Sequence, residues 1–197
     1  HCVVRTRDGR TARGFGSMTL GNAWSFPSKT LSFDQTLDTM KGLAARIRDV
    51  YAACRESGHP IDVGVLLESA CLAVAERVAG DLPAGGPIPK LCVLVTASPF
   101  DAALHDAFGK AHGRSCYRTY GADLMSRDLS EHLGPDFRGE FGDRYVRPDP
   151  APRLAMFHSV GAGDPIEDAD VRERLPDPLP QTLPEWIRHN GLRRIKI

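Results

Sequence analysis

Residues 183–197 read LPEWIRHNGLRRIKI, and this stretch sets the fold class that the sequence predicts. The segment 183–190 has the composition of a short helix closed by Gly191, and a strand begins after the glycine. Upstream, RLAMFHSVG at 153–161 is also strand-like. Strand, helix and strand in this order form a βαβ unit, which indicates a parallel sheet or barrel.

The amino-terminal part of the chain predicts a β-hairpin. CVVRTR at 2–7 and TARGFGS at 11–17 read as two strands, separated by the turn signal DGR. An isolated two-stranded hairpin is barely stable, so we expect a third strand upstream. The chain begins with His1 and not with Met, which fits a missing natural amino terminus.

Helical patterns follow the hairpin. Ser32 and Gln35 form a capping box for a long amphipathic helix, and a second helix is expected from about Asp62. KLCVLVTAS at 90–98 fits either a strand or a buried helix, and Ser98 followed by proline predicts a helix start there. The chain after residue 121 is polar and rich in glycine, proline and aspartate, which is typical of a long connection.

Bulk composition excludes some classes of protein. Lys+Arg and Asp+Glu both number 25, and this zero net charge argues against a dedicated nucleic-acid binder. No apolar run approaches the roughly 18–20 residues of a membrane span, so no membrane partner is expected. The five cysteines are an odd number without a C-x-x-C, and Cys54, Cys71 and Cys92 fall among apolar residues, which predicts small core residues in a reducing cytoplasm and not disulfides or zinc ligands.

Three stretches together resemble the enolase superfamily, in particular its mandelate racemase and muconate lactonizing enzyme branch. They are VVRTRDGRTARGFGS at 3–17, FDAALHDAFGKAHGRSCYRTYG at 100–121, and LPEWIRHNGLRRIKI at 183–197. The first is similar to two strands of the branch with their "dG…G.G" ending, and the second to its "A..A..D..gk..g" helix. The third looks like the first barrel helix and the second barrel strand, where the family writes Lys-x-Lys. Two departures are Leu104-His105 before Asp106, where the family often has an aromatic residue, and a longer crossover.

The resemblance implies an α+β N-terminal capping domain, with antiparallel strands followed by helices, that leads into the first βα units of a truncated (β/α)8 TIM-type barrel. It divides the chain into a capping domain at 1–120, a connecting segment at 121–150 and an incomplete barrel start at 151–197. A complete (β/α)8 barrel takes ~250 residues, so the chain is expected to be a fragment of a longer protein.

The function implied by the resemblance is α-proton abstraction from a small carboxylate substrate, as in racemases, epimerases and acid-sugar dehydratases. Such enzymes use a Lys or His base and stabilise the enediolate with Mg²⁺. Lys196 would be the first lysine of Lys-x-Lys, and the second is expected one position past Ile197. Residues two apart on a strand share a face, so each cation lowers the pKa of the other. The alternative for Lys196 is a surface lysine at a strand end.

The family's metal ligands lie on later barrel strands, so the resemblance implies Mg²⁺ as cofactor but no metal ligand within this chain. The chain alone is therefore expected to be inactive, and the full-length enzyme to be a homo-oligomer. Candidate substrate-binding residues are Asn22, Trp24 and Phe26 in a loop expected to cover the barrel mouth, and His158 at the end of the first barrel strand. The alternative for the two aromatic residues is that they only anchor the loop.

Two further hypotheses remain open at the level of sequence. One is a non-catalytic binding or structural protein that keeps the enolase-like fold. The other is an unrelated helical α+β domain with a short α/β tail.

Overall fold

A computed structural model describes residues 1–82 and 86–196. The chain divides into two compact units, His1–Pro148 and Asp149–Ile197. The segment predicted as a connection between domains, residues 121–150, therefore lies almost wholly in the first unit.

The first unit opens with the predicted hairpin, which is confirmed. β1 (Cys2–Arg5) pairs antiparallel with β2 (Thr11–Gly14), and Cys2 lies opposite Gly14. Gly9 supplies the positive φ of +87° that the connecting turn requires. Alternate residues of both strands face the helices, which gives the hairpin one buried and one exposed side.

The helices of the first unit are α1 (Asn22–Ser25), α2 (Phe33–Ala53), α3 (Pro60–Gly80) and α4 (Lys90–Ala111). The predicted capping box at the start of α2 is confirmed, since the side chains of Ser32 and Gln35 bond each other's backbone N–H. The three long helices meet in a common apolar core, which includes Met40, Leu43, Ile47, Cys71, Val74, Cys92 and Val93.

The start of α4 corrects a sequence prediction. Ser98 does not begin a helix, because α4 runs unbroken from Lys90 with Pro99 in its interior. Proline has no N–H to bond the carbonyl of Val95 four residues earlier. The Ser98 hydroxyl donates to that carbonyl oxygen instead, at 2.9 Å. The side chain thus replaces the missing backbone donor, and the apolar run at 90–98 is a buried helix.

The hairpin packs on α4 through residues without bulky side chains. A Cβ at Gly14 would overlap the carbonyl oxygen of Ala103, and one at Gly16 would overlap the carbonyl oxygen of Pro99. Between these glycines, the Phe15 N–H donates to Asp106 Oδ2 at 2.9 Å. At the end of β2, the backbone of the hairpin is therefore in direct contact with the backbone of α4.

Residues 116–148 complete the first unit with short elements. These are the 3-10 turns Cys116–Arg118, Pro135–Phe137 and Gly142–Arg144 and the single-turn helix α5 (Ser130–Leu133). The Asp128 carboxylate ties this segment together, because it accepts the N–H groups of Ser130 at 3.0 Å and Gly139 at 2.6 Å.

The second unit contains β3 (His158–Ser159), a 3-10 turn at Asp168–Asp170, α6 (Leu183–Asn190) and β4 (Ile195–Lys196). β3 and β4 pair in parallel, so the predicted order of strand, helix and strand is present. At the start of α6 the Glu185 carboxylate accepts the Thr182 N–H at 3.2 Å, and Gly191 ends the helix in the left-handed conformation with φ of +60°.

The predicted fold class is wrong for the described residues. In 1–82 and 86–196, helices predominate and strands occur only as the two small pairs β1–β2 and β3–β4, so neither the α+β capping domain nor the βα units of a (β/α)8 barrel is present. The apolar side chains before β3 are exposed: Leu154 by 84%, Met156 by 69% and Phe157 by 61%. This run therefore buries little apolar surface, and it pairs with β4 over two residues only, His158 and Ser159. The observed content is that of a helical domain followed by a short α/β tail.

Candidate functional site

Lys196 lies in β4, on the face of the strand pair opposite His158. The register pairs His158 with Ile195 and Ser159 with Lys196. Directly paired residues point to the same side of a sheet and successive residues to opposite sides, so Ser159 and Lys196 share a face. Lys196 is exposed and makes no ion pair with the described residues.

His158 occupies the face that α6 covers. Its ring centroid is 5.9 Å from that of Trp186, which belongs to α6. Trp186 also meets His189 edge-on at 6.1 Å. The side chains of His158, the substrate-binding candidate, and Lys196, the catalytic candidate, therefore lie on opposite faces of the strand pair.

The loop at 17–29 belongs to the first unit, and two of its three candidate residues are buried. The Asn22 amide donates to the Phe33 carbonyl and to Thr36 Oγ1, each at 2.9 Å, and so holds the start of α2. Phe26 is 5% exposed and is part of the apolar core. Both side chains therefore have structural contacts that account for them.

Trp24 is the loop residue that stays accessible, with 53% of its surface exposed. Its indole lies against the backbone of Gly21, where an added Cβ would overlap the ring. The contact fixes the ring position and leaves the rest of the indole free for a ligand.

The described residues do not supply a Mg²⁺ site. No group of three or more His, Cys, Asp or Glu side chains within them is arranged to hold a metal ion. Asp106 bonds the Phe15 N–H and Lys110, and Asp164 accepts the Gly161 N–H at 2.7 Å. The chemistry of Mg²⁺ needs several carboxylate or water oxygens at one point, so these isolated carboxylates do not fit the ion.

A buried polar cluster that the sequence reasoning missed lies between α3, α4 and the segment after α4. Its centre is His59, which is 2% exposed and precedes Pro60 at the start of α3. The His59 ring stands edge-on to the rings of Phe108 at 5.1 Å and Tyr120 at 5.5 Å. The sequence held one signal for it, since Pro60 favours the first position of a helix, which makes His59 a candidate N-cap residue.

His105 connects this cluster to a carboxylate. Its Nδ1 atom is 3.1 Å from the Tyr120 hydroxyl, and its Nε2 atom is 3.8 Å from Asp101 Oδ1. Burial lowers the pKa of His105, whereas Asp101 acts in the opposite sense. Burial also raises the pKa of Tyr120 to about 12, so its hydroxyl is protonated at neutral pH and is not an activated nucleophile.

Burial lowers the pKa of His59 to about 4, and the nearby His105 adds to the effect. The ring is thus neutral at pH 7. Its Nδ1 atom accepts the Ile61 N–H at 3.3 Å, whereas Nε2 is buried without a hydrogen-bond partner among the described residues. At neutral pH the His59 imidazole is therefore uncharged and buried, and its role is structural, as the N-cap of α3.

One of the described helices, α4, is long and apolar enough to cross a membrane by length and composition alone. It packs against α2, α3, β1 and β2 at the centre of the first unit. The core helix of a soluble protein meets the same criterion.

Comparison of the chain with protein-family models, with curated proteins and with solved structures yields no match.

Proposed function

We propose that this chain is part of a Mg²⁺-dependent enzyme that removes the proton next to the carboxylate of a small substrate, as a racemase, epimerase or dehydratase. One observation carries the proposal: Lys196 lies on the face of the β3–β4 pair that α6 leaves uncovered. An exposed ammonium at this position can interact with an anionic ligand and with a basic side chain next to it on the same face.

The role proposed for Lys196 is to tune the base rather than to abstract the proton. The next side chain on its face belongs to the position after Ile197, where the resemblance implies a second lysine. A fixed positive charge disfavours the protonated form of a neighbouring lysine and lowers its pKa from about 10.4 toward neutrality. A base with a pKa near the working pH is the more efficient catalyst.

The other two stretches that resemble the enolase superfamily support the proposal through sequence alone. Gly14, Gly16 and Asp106 make the packing contacts between β2 and α4. Packing between β2 and α4 explains why these positions are glycine, glycine and aspartate. The three residues supply no group for the proposed proton abstraction. The functional part of the resemblance therefore rests on Lys196.

The metal ligands are proposed to lie outside the described residues, since those residues do not fit the ion. The proposal also includes a homo-oligomeric full-length enzyme in the cytoplasm. All five cysteines are free thiols, which agrees with a reducing compartment.

The test uses the protein encoded by the complete reading frame. It is incubated in D₂O with MgCl₂ and, in turn, with sugar acids, dipeptides and aromatic hydroxy acids, and loss of the α-proton signal is followed by NMR. We expect exchange with one of these classes, its loss with EDTA, and a decrease in kcat of at least ~10²-fold in Lys196→Met. The matched control is Lys41→Met, because Lys41 is an exposed lysine on α2 that pairs with the exposed Asp38 at 2.9 Å.

The outcomes separate the hypotheses. Carboxylate binding in calorimetry without any exchange would overturn the enzyme and favour the non-catalytic binding protein. Exchange that Lys196→Met leaves unchanged would refute the role of Lys196. A tuning role further requires that Lys196→Met move the acidic limb of the kcat/KM profile to higher pH, because the base then loses the charge that lowers its pKa.

A further inference from the structure

We propose that His59, His105, Phe108 and Tyr120 form an acid-sensitive latch, which holds the segment after α4 against the first turn of α3 at neutral pH and releases it in acid. The inference concerns the first unit alone and does not depend on the proposed enzyme.

The latch joins three parts of the fold through one ring. His59 is the N-cap residue of α3, Phe108 belongs to α4, and Tyr120 follows the 3-10 turn after α4. Both aromatic rings meet the imidazole edge-on, at 5.1 and 5.5 Å, and the Tyr120 hydroxyl is 3.1 Å from His105 Nδ1. Removal of the imidazole from its place would break the contacts of the first turn of α3 with the rings of Phe108 and Tyr120.

The hydrogen bonds of His59 specify its protonation state. Because Nδ1 accepts the Ile61 N–H, the single proton of the neutral ring must be on Nε2. A second proton has to enter at Nδ1, where it would displace the N-cap hydrogen bond. It would also place a positive charge at the amino end of α3, where the helix dipole is already positive.

The charges facing His59 come from each element around it. On α3, Asp62 favours the protonated ring, but its Oδ1 atom is also 3.3 Å from Nε2 of His132 on α5. On α4, His105 and His112 both oppose protonation of His59.

In the segment after α4, the backbone of Thr119 and the ring of Tyr120 lie against His59. The Thr119 carbonyl favours a proton on His59, yet Nε2 of His59 is left without a hydrogen bond. Asp101, 3.8 Å from His105 Nε2, favours a proton on His105 instead. A charged His105, whose ring is 6.1 Å from that of His59, makes a charge on His59 still less favourable.

The direction of the effect follows from linkage. Released into water, His59 titrates near 6.5, whereas burial in the closed latch lowers its pKa to about 4. The open state therefore binds a proton first as the pH falls through this interval. One proton taken up on opening raises the opening equilibrium by up to about tenfold per pH unit.

The test is hydrogen exchange of the 197-residue chain at pH 7.5, 6.0, 5.0 and 4.5, corrected for intrinsic exchange rates. We expect protection of the amides of residues 61–64 and 116–121 to decrease by up to about tenfold per unit below pH 6.5. His59→Asn keeps an N-cap acceptor but cannot take up a proton at residue 59, so its protection should decrease less steeply with falling pH, through His105 alone of the two latch histidines. His189→Asn, at an exposed site on α6, should retain the wild-type profile.

Wild-type protection that stays constant across this interval, or an acid loss that is equally steep in His59→Asn, would overturn the latch. If His59→Asn does not fold, ¹⁵N NMR of the wild-type imidazole gives an independent answer. The latch requires an Nε2–H tautomer at pH 7 and loss of the protected Ile61 amide as the His59 ring titrates. A ring that titrates while the Ile61 amide remains protected would refute it.

Discussion

The backbone N–H of Phe15 donates a hydrogen bond to Asp106 Oδ2 at 2.9 Å, across 91 residues of sequence. Lys110, one turn later on α4, donates to the same oxygen at 2.6 Å. The hydrogen bond from Lys110, followed by that from the Phe15 N–H, holds the pKa of Asp106 below its usual value. The hairpin is thus bound to α4 by an ionised carboxylate.

Replacement of Asp106 should destabilise the first unit at neutral pH. We expect Asp106→Ala to lower the free energy of unfolding by about 1–2 kcal/mol, and Asp106→Asn by less, since an amide oxygen still accepts the Phe15 N–H. The lowered pKa means that the ionised form stabilises the fold above the ordinary value near 3.9 and loses this effect as the pH falls further. Urea unfolding at pH 7 and at pH 2.5 should therefore give a smaller difference between wild type and Asp106→Asn in acid. An equal difference at both values would contradict this account.

Two glycines provide a matched pair of substitutions with opposite effects. Gly14→Ala forces a Cβ into the backbone of α4, whereas Gly42→Ala, on the exposed face of α2, meets nothing within 4 Å. We expect Gly14→Ala to lower the free energy of unfolding by roughly 3 kcal/mol or more, because backbone atoms must move apart. Gly42→Ala should raise it by about 0.5–1 kcal/mol. Thermal unfolding followed by circular dichroism measures both, and a stable Gly14→Ala variant would show that β2 does not press on α4.

Ser98 and Pro99 should be coupled energetically. Ser98→Ala leaves the Val95 carbonyl without its donor, which should cost about 1–2 kcal/mol in this partly buried helix. In a Pro99→Ala background the backbone N–H at residue 99 can bond that carbonyl, so the same Ser98→Ala change should cost less. A double-mutant cycle in urea gives the coupling. Additive effects would mean that the hydroxyl does not compensate for the proline.

Glu185 should titrate far below an ordinary glutamate. Its carboxylate accepts the N–H groups of Gln181 at 2.8 Å and Thr182 at 3.2 Å and bonds Arg174, and these contacts lower its pKa to about 2. The ionised form then supports α6 above the ordinary value of 4.5 and loses this support toward about 2. In an NMR titration the Gln181 amide shift should inflect at about 2 and should not titrate in this range in Glu185→Gln. An inflection near 4.5 would show that the Glu185 carboxylate does not make these hydrogen bonds in solution.

The elements that could be predicted from sequence are those with local signals. Ser32 with Gln35, the turn around Gly9, and Gly191 each fix a boundary through contacts within a few residues. The start of α4 was missed because Ser98 followed by Pro99 is locally a good helix start. The helix instead begins at Lys90, because the apolar turns before Ser98 are buried and the Ser98 hydroxyl bonds the Val95 carbonyl.

The candidate site depended on long-range information that the sequence does not display. Nothing local indicates that Asn22 bonds Thr36 or that Phe26 enters the core. The sequence therefore makes Asn22 a substrate-binding candidate and leaves both substrate binding and anchoring of the loop open for Phe26. The latch residues were missed for the same reason, since His59 and Tyr120 meet only after α3 and α4 have packed. The barrel prediction relied on the order of elements, which does not specify how many strands join one sheet.

The separation of 91 residues between Phe15 and Asp106 also has a kinetic meaning. A ribosome adds roughly 5–20 residues per second, so the hairpin emerges on the order of 5–20 s before the helix that covers it. During this time the side chains of Val4 and Ala12 face water, and the hairpin cannot be stable alone. Ribosome-bound chains that stop before α4 should therefore expose this strand pair to chaperones, and chains extended beyond α4 should protect it.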